Sequence, residues 1–360
     1  MTRETNSEYV VEQFTLEEST FGDMARLIDN AFNPKNKGGT IAFDEKTLRL
    51  IFGCPYLSQD LFVRVIHTPT GETVGFTGGI PRNLAYGDKI YQFGVPTFQS
   101  VHRDHQRKGL AVKMNLKLIE TGQSMGFDGG FASYEPEAHG IDAVLRVVED
   151  HGLKMQQMLK IKQFIVRVWN VKEMAPVVPL KPLEKIWMTL RQGIKKLTNP
   201  QVRAFQPEDA DQIFALMQDH IEHNELAVVR EKKEFTWYLN QPNVNCVVHE
   251  DHEGKIDGFM VAWQMNLAGF GHSVPFGWLD TVHLYRLPLK EAADLCNFMC
   301  HTAREKGWVG LQTPYIPYFD PKPLKKAKFI FYPKKLLVNL YFLNSIPFPE
   351  SVDSFYFDWR

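Results

Sequence analysis

Cysteine is scarce in this sequence. The 360 residues contain 4 cysteines, and these are too few and too scattered to predict a disulfide framework. Cys296 and Cys300 stand four positions apart in a stretch with helical periodicity. Buried thiols are the expected role there, and half of a metal site is the alternative. The sequence is therefore not that of a small domain held together by disulfides.

The sequence also has no excess of positive or negative charge. Lys and Arg number 41 against 42 for Asp and Glu, so bulk charge does not attract a polyanion and nucleic acid is not expected as a partner. No run of 18 apolar residues occurs, and the first residues, MTRETNSEYVVEQF, contain no apolar signal core. These absences predict a cytoplasmic protein without stable membrane insertion. Any anion site has to be local.

Such a local site is predicted in the stretch from Val95 to Pro136. A strand pair, expected over residues 85–91 and 95–101, leads into a short basic loop, and an amphipathic helix follows as far as the glycines at 122 and 126. The first amides of a helix have no intrahelical partner and carry the positive end of the helix dipole, so an anion is favoured there. Strand, loop and helix together predict a phosphate site.

The loop itself carries a family signature. Its spacing, Gln106-x-x-Gly109-x-Ala111, resembles the Q/R-x-x-G-x-G/A motif with which GNAT acyltransferases hold the pyrophosphate of acyl-coenzyme A. The resemblance implies acyl-CoA or acetyl-CoA as co-substrate. An ordinary helix start with a basic first turn is the structural alternative. The cofactor-binding residues that the resemblance implies are Val101, Gln106, Arg107, Lys108, Gly109, Leu110 and Ala111.

The order of elements occurs twice along the chain. Val101-His102 precedes Gly126-Phe127 by the interval that separates Val282-His283 from Gly307-Trp308, which predicts a tandem duplication. The implied fold class is α+β (mixed α/β), with two tandem GNAT-like domains, each a central mixed, mostly antiparallel sheet flanked by helices. The expected domains are an N-terminal, acyl-CoA-binding domain over residues 1–171, a linker with an amphipathic helix over 172–200, and a C-terminal domain on the acceptor side over 201–360.

The second copy of the loop is degenerate. Its positions, Leu287–Ala292, contain no glycine, and Pro288 removes an N–H group. Only the first domain is therefore expected to bind coenzyme.

The C-terminal half is also similar to the N-myristoyltransferases. The segments that carry this resemblance are DGFMVAWQMNL, YRLPLKEAADLCNFMCHTAREKGW and LKKAKFIFYPKKLLVNLYFLN, and GFTGGIPRNL fits in the first half. In that family two backbone amides of a bulged strand stabilise the thioester oxyanion, and they map onto Phe98 and Gln99. The carboxylate of the family's last residue is the base, which implies that role for Arg360.

Two routes are open for departure of the thiol. GNAT acetyltransferases often use a tyrosine near the end of the last helix, but Val147 and Val148 occupy that region here. Either the thiolate leaves unassisted, or Tyr134 or Glu135 serves instead. Glu135 is also the second candidate for the base, with an exposed turn carboxylate as the structural alternative.

The predicted function is an acyl-CoA-dependent N-acyltransferase. The acceptor is expected to be an amine of a small molecule, a peptide N-terminus or a lysine, attacking the thioester directly. The alternatives are a small-molecule acetyltransferase using acetyl-CoA, a non-catalytic acyl-CoA-binding protein, and an aminoacyl transferase using charged transfer RNA, which the neutral charge disfavours. No metal is predicted, since the paired histidines His220 and His223, and His249 and His252, fit a helix face and a polar turn.

Overall fold

The computed structural model describes residues 8–32, 38–136 and 141–360. Within them, the predicted loop after Val101 does open a long helix. In chain order, the helices of these residues are α1 (Phe21–Phe32), α2 (Glu45–Phe52), α3 (Leu110–Ser124), α4 (Ile141–Asp150), α5 (Val171–Met174), α6 (Pro182–Arg191), α7 (Ala210–Glu222), α8 (Lys232–Leu239), α9 (Leu289–Glu305) and α10 (Lys322–Lys326).

The strands of the same residues form one mixed sheet. They are β1 (Tyr9–Phe14), β2 (Thr40–Ala42), β3 (Phe62–His67), β4 (Glu72–Tyr86), β5 (Lys89–Val101), β6 (Gly129–Tyr134), β7 (Lys154–Val168), β8 (Val202–Ala204), β9 (Leu226–Val229), β10 (Val244–Glu250), β11 (Ile256–Gly269), β12 (His272–His283), β13 (Gly310–Pro314), β14 (Ile330–Phe342) and β15 (Phe355–Tyr356).

The strand order across the sheet is β1-β3-β4-β5-β6-β14-β7-β13-β12-β11-β10-β8, while β2 pairs with β11 and β9 pairs with β4 and β15. Most neighbours are antiparallel; β5 with β6, β12 with β13, and β9 with β15 are parallel. The predicted fold class, a mixed and mostly antiparallel sheet flanked by helices, is confirmed.

The two halves of the chain share this sheet. Strand β14 lies between β6 and β7 and pairs with both, so that Leu337 stands opposite Tyr134 on one side and Lys160 on the other. Strand β7 pairs in turn with β13 of the C-terminal half. Residues 330–342 therefore complete the sheet of the N-terminal half, although the sequence assigns them to the C-terminal domain. The division at residue 171 stays a prediction about domain organisation.

The two halves also match element by element. Helices α3 and α9 are each followed by a glycine with positive φ, Gly126 at 81° and Gly307 at 82°, and strands β6 and β13 begin three residues after these glycines. The helix starts differ: Gly109 precedes α3 with φ 74°, whereas Pro288 precedes α9 with φ −57°. Of these two helix starts, the one at α3 has a glycine in the left-handed conformation, and the one at α9 has a proline without an N–H group. The phosphate site before α3 stays a prediction.

One predicted strand is wrong. Residues 85–91 do not form a strand of their own, because β4 continues to Tyr86 and β5 begins at Lys89. A two-residue turn with Gly87 at φ 56° joins them, and Tyr86 pairs with Lys89 across it. The pair Gly87-Asp88 is a two-residue hairpin signal, and one strand over residues 85–91 does not take it into account.

Helix α3 is fixed to the sheet by an apolar face. Leu110, Met114 and Leu118 recur at helical spacing and pack with Val63 and Val65 in one buried cluster. Leu110 is the first residue of the helix and is only 2% exposed. Because this residue is buried, the helix start, and with it the preceding loop, has a defined position against β5.

The histidines considered as metal ligands have other partners. Nδ1 of His220 lies 3.1 Å from the Tyr285 hydroxyl, and Nδ1 of His249 lies 2.6 Å from an Asp257 oxygen. Among residues 8–32, 38–136 and 141–360, no group of three or more His, Cys, Asp or Glu is arranged to hold a metal ion. Cys296 and Cys300 are buried in α9, and burial raises the pKa of the Cys300 thiol to about 12.

The buried His220 makes stability depend on pH. Its ring stacks on that of Tyr356 at 3.9 Å between centroids, and burial, together with the nearby His283 and His223, holds the pKa of His220 well below its usual value. The unfolded chain takes up a proton below about pH 6.5 that the native state does not. Stability conferred by neutral His220 is therefore complete above that pH and is lost as pH falls.

We expect His220→Gln, which cannot titrate, to reduce this dependence. Between pH 7.5 and 5.5 the free energy of unfolding should fall by about 1.4 kcal/mol less in the variant than in the wild type. Urea unfolding at both pH values measures the difference, and the comparison of slopes cancels any constant loss from the substitution. Equal slopes in the two proteins would contradict the assignment.

Candidate active site

A cavity lies at the gap between β5 and β6. The two strands pair only at Phe93 and Gly94, opposite Gly129 and Gly130, and they diverge beyond these residues. The resulting cavity has a volume of about 390 Å³, which is within the size range of small-molecule sites, about 300–1,000 Å³. Its lining is largely apolar and comes from both halves of the chain: Ile41, Phe43, Ile51, Ile80, Arg82, Val95, Pro96, Thr97, Phe98, Phe131, Ser133, Trp263, Trp278, Phe357, Asp358, Trp359 and Arg360.

Strand β5 is bulged where it borders this cavity. Thr97 pairs with Gly78 and Ser100 with Phe76, so Phe98 and Gln99 together face the single residue Thr77. Phe98 has φ 54°, a conformation that non-glycine residues adopt rarely and that is concentrated at functional sites. The predicted bulge is therefore present at the two residues whose amides were expected to bind the oxyanion.

The side chains at the bulge are held by their neighbours. The Phe98 ring packs edge-on against Phe43 at 4.6 Å between centroids. Gln99 turns the other way, and its Nε2 donates to the carbonyl of Ala111 at 3.1 Å and to Oδ1 of Asn115 at 2.7 Å. These contacts connect the bulge to the first two turns of α3 and, through the helix, to the loop before it.

The loop between β5 and α3 is compact. Nε2 of Gln106 donates to the carbonyl of Val101 at 3.0 Å, which closes the loop on the end of the strand. Arg107 and Gly109 both have positive φ, 63° and 74°. The amide of Lys113 makes the first helical bond, to the carbonyl of Gly109 at 3.2 Å, so the amides before it are those a helix N-terminus offers to an anion.

The lysine of this loop is oriented by the first strand. Nζ of Lys108 donates to the Tyr9 hydroxyl at 2.5 Å and lies 3.3 Å from the Glu8 carboxylate. The hydrogen bond to Tyr9 raises the pKa of Lys108, and the bond from Lys108 lowers the pKa of Glu8. Tyr9 also lies 3.0 Å from Nδ1 of His105. A positive charge is thus held beside the loop by residues that the sequence did not single out.

Arg360, the last residue of the sequence, reaches the cavity from the C-terminal half. Strand β15 pairs with β9, and β9 pairs with β4, which directs the last residues toward β4. The backbone oxygen of Arg360 accepts a hydrogen bond from Nη2 of Arg82, a β4 residue 278 positions away. The side chain of Arg360 is turned into the protein, where it donates to Glu234 and to the carbonyl of Leu50. Phe98 and Arg360 both line the cavity.

Arg82 belongs to a buried cluster of ionisable side chains. It lies 3.6 Å from Asp358 and 3.6 Å from Glu234, and Arg230 contacts Asp358 and, at 3.7 Å, Asp280. Burial, and next the charge of Asp358, raises the pKa of Asp280 to about 6. The cluster consists of three arginines, Arg82, Arg230 and Arg360, and three carboxylates, Glu234, Asp280 and Asp358.

The cluster also occupies the bulge of the second half. Strand β12 is bulged at Asp280, between Leu279 and Thr281, at the position that corresponds to Gln99 in the first half. One oxygen of Asp280 accepts the amide of Trp359 at 2.7 Å, and the other accepts the Tyr238 hydroxyl at 2.8 Å. The chain's own C-terminal segment thus fills the second bulge.

Tyr134 and Glu135 lie at the end of β6, away from the cavity lining. The Tyr134 hydroxyl accepts a hydrogen bond from Asn339, and burial raises its pKa. Glu135 forms an ion pair with Lys334 at 2.7 Å and its side chain is 57% exposed. Neighbouring Ser133 does line the cavity. Phe98 and Arg360 are thus both among the residues that line the cavity, whereas Gln99, Tyr134 and Glu135 are not.

Sequence reasoning did not single out Arg82, Glu234, Asp280 or Asp358. A signal for Arg82 existed, because an arginine in the otherwise apolar strand segment GFTGGIPRNL must be paired if it is buried. Its partners could not be read from the sequence, since they come from distant parts of the chain.

The described helices include none that is both long enough and apolar enough to cross a membrane.

Solved structures with the same fold are known, although the sequence has diverged far from them. No model of a protein family and no curated protein matches this sequence. A structure of Saccharomyces cerevisiae N-myristoyltransferase with bound myristoyl-CoA is similar with a TM-score of 0.76 and 15% identity, over 95% of this chain and 80% of that one. A second structure of that enzyme with myristoyl-CoA gives 0.75 and 16%, over 95% and 84%.

A third structure of the yeast enzyme, with myristoyl-CoA and inhibitors, gives a TM-score of 0.73 and 15% identity, over 93% of this chain and 80% of that one. Identities this low establish a shared fold and leave the activity to be argued from the site. The chain has the fold of N-myristoyltransferase, with two GNAT-like halves.

Proposed function

We propose that this protein is an acyl-CoA-dependent N-acyltransferase that moves an acyl group from a coenzyme A thioester to an amine. The observation that carries the proposal is that Phe98, at the bulge of β5, and Arg360 line one cavity, while Gln99 of the same bulge is hydrogen-bonded to α3. Acyl transfer needs donors for a developing oxyanion, a base for the amine and an anion site for the coenzyme. We assign these three roles to the amides of Phe98 and Gln99, the Arg360 α-carboxylate and the amides at the start of α3.

The coenzyme would be held by the first half of the chain. Its pyrophosphate would accept hydrogen bonds from the amides at the start of α3, next to Gly109, with the charge of Lys108 nearby. The thioester would then lie in the gap between β5 and β6, with its carbonyl oxygen at the amides of Phe98 and Gln99. The second half has Pro288 at the equivalent helix start and the C-terminal segment in its bulge, so we assign it to the acceptor side.

The acceptor would enter the cavity from the side of Arg360. In a chain that ends at this residue, the α-carboxylate adds a negative charge to three arginines and three carboxylates, which leaves the cluster with an excess of one negative charge at neutral pH. An ammonium group is attracted to such a site. Because the remaining lining is apolar, the proposed acceptor is a primary amine carried on an apolar group.

The chemical step follows from these positions. The amine loses a proton to the Arg360 carboxylate, its nitrogen bonds to the thioester carbonyl carbon, and the oxyanion is stabilised by the two amides. The nitrogen then gives up its second proton to solvent, the carbon–sulfur bond breaks, and sulfur leaves with its electron pair as the thiolate. Its moderate pKa allows departure without an acid. Glu135 is the less favoured base, because its carboxylate is paired with Lys334 outside the lining.

A short acyl group is favoured by a second observation. Behind the gap, on the side of α3, a space of only about 10 Å³ remains among Gly79, Gly94 and Gly129. The side chains of Leu61 and Tyr341 occupy the room beside these strands. A long chain would have to share the larger cavity with the acceptor. A small-molecule acetyltransferase that uses acetyl-CoA is therefore the second candidate.

The coenzyme site is tested by Gly109→Asp, with Gly126→Asp as the matched control. Both glycines have positive φ and open space around a Cβ atom, and they lie at opposite ends of α3. The two variants thus share the backbone strain and the added charge, but only the first places a carboxylate at the proposed pyrophosphate site. We expect Gly109→Asp to weaken acetyl-CoA binding by at least about 100-fold, or about 2.7 kcal/mol.

Calorimetric titration with acetyl-, octanoyl- and myristoyl-CoA measures the affinity of each variant for coenzyme. It also shows how affinity depends on the length of the acyl chain. Affinity that rises with each methylene indicates an acyl channel, and a flat series indicates an acetyl donor. Binding without release of free thiol, for any amine tried, identifies a non-catalytic acyl-CoA-binding protein. Equal binding by the two glycine variants would disprove the assignment of the loop.

A further inference from the structure

Helix α6 presents its apolar side to solvent. Leu183 and Leu190 are each 80% exposed, Ile186 is 59% exposed and Trp187 is 46% exposed. At 3.6 residues per turn these four positions fall within an arc of about 100°. In most surface helices such an apolar stripe faces the protein core. In α6 it faces solvent instead.

The reversed orientation is set by contacts on the other side of the helix. Met188, which lies roughly opposite the stripe, is the half-buried residue that packs against the core. The guanidinium of buried Arg167 donates to the carbonyls of Arg191 and Gly193, at 2.8 Å each, just where α6 ends. The helix is therefore attached at its C-terminus and cannot roll over to bury the stripe without breaking these bonds.

Little of the stability of α6 comes from packing against the rest of the protein. None of its ten residues is buried, and helices shorter than about 12–15 residues are marginal in water without packing. The N-terminus is capped, since the Glu184 carboxylate accepts the Lys181 amide at 2.8 Å. An apolar stripe that is rigidly presented and uncovered calls for an occupant.

The charge around the stripe identifies the occupant. Residues 181–196 contain five basic side chains and one acidic side chain, Glu184. The Arg191 guanidinium lies over the Trp187 ring at 5.0 Å, which places a cation beside an aromatic residue of the kind found at lipid interfaces. The basic residues are Lys181, Lys185, Arg191, Lys195, which also contacts Asp294, and Lys196.

We propose that α6 docks on the surface of a bilayer containing anionic phospholipids. Its stripe would enter the boundary between headgroups and acyl chains, while the lysines contact lipid phosphates. A second copy of the chain fits less well. A ten-residue helix is about 15 Å long and about 10 Å wide, so it covers far less than the roughly 800 Å² per partner of a stable interface. The basic residues of a second α6 would also repel those of the first. Such docking is reversible and needs no spanning segment.

The test uses the full chain and the variant Leu183→Gln with Leu190→Gln. Because both leucines are 80% exposed, the fold is expected to survive, and coenzyme binding verifies it. We expect the wild type to sediment with phosphatidylcholine vesicles that contain phosphatidylserine, and to bind less to phosphatidylcholine alone. The double variant should lose about 100-fold in partitioning, on the order of tenfold for each leucine. The control Ile90→Gln, at a 62% exposed position on the β4–β5 hairpin, should bind as the wild type does.

Two results would overturn the proposal. Absence of wild-type binding to anionic vesicles is one, and equal binding by the wild type and the double variant is the other. Sedimentation velocity distinguishes the competing occupant: a concentration-dependent dimer that the double variant loses, without vesicle binding, would identify the stripe as a self-association surface.

Discussion

Extension of the chain by two glycines after Arg360 is expected to lower kcat by about 10²–10⁴-fold, the usual contribution of a general base. The extension converts the α-carboxylate into a neutral amide and forces two further residues into a cavity of about 390 Å³. Coenzyme affinity should be unchanged, because the loop before α3 is not altered. Initial rates of thiol release, together with acetyl-CoA titration, measure the two effects separately.

A semisynthetic chain with an α-carboxamide at Arg360 is the matched control. It removes the charge but adds no residue, so it separates loss of the base from steric blockage. We expect it to lose activity nearly as much as the extended chain does. Full activity in the carboxamide chain, with its mass verified, would exclude the Arg360 carboxylate as the base and leave Glu135 as the candidate.

Replacing Arg82 with methionine should have the largest effect on stability. The guanidinium lies against Asp358, Glu234 and the backbone oxygen of Arg360, and breaking a buried ion pair by removing one partner typically costs about 3–5 kcal/mol. The loss should be smaller at pH 5 than at pH 7.5. Asp280, whose pKa is raised to about 6, is largely protonated at pH 5, and fewer uncompensated charges then remain.

Arg64→Met is the control for Arg82→Met. Arg64 also lies on a strand and pairs with a carboxylate, Glu12, at 2.7 Å, but its side chain is 34% exposed, and such pairs contribute about 0–1 kcal/mol. Urea unfolding of both variants gives the comparison. A loss for Arg82→Met that is no larger than the loss for Arg64→Met would show that the buried cluster does not hold the C-terminal segment in place.

The sequence predicts well what short segments determine. The loop from Gln106 to Ala111 and the helix after it are predicted from neighbouring residues, because glycine, capping and apolar periodicity act within a few positions. The bulge at Phe98 is different, because only the resemblance to the N-myristoyltransferases implies it. The β4–β5 hairpin also has a local signal, the pair Gly87-Asp88, which the predicted strand over residues 85–91 leaves out of account.

What the sequence does not reveal depends on distant contacts. Arg82 and Arg360 are 278 positions apart, and the residues around either one do not indicate that the two are in contact. The position of β14 between β6 and β7 cannot be predicted from the sequence either, because the sequence of an apolar strand does not specify which strands it pairs with. The candidate coenzyme loop was therefore predictable, and the charged cluster around the candidate base was not.

The exchange of strands between the halves has a consequence for biosynthesis. Strands β6 and β7 are separated in the sheet by β14, which the ribosome makes roughly 170 residues after Val168. At about 5–20 residues per second this delay is roughly 9–35 s, during which the edges of β6 and β7 lack their permanent neighbour. Exposed edges of this kind pair readily with other chains, so the nascent protein is expected to need a chaperone until translation is almost complete.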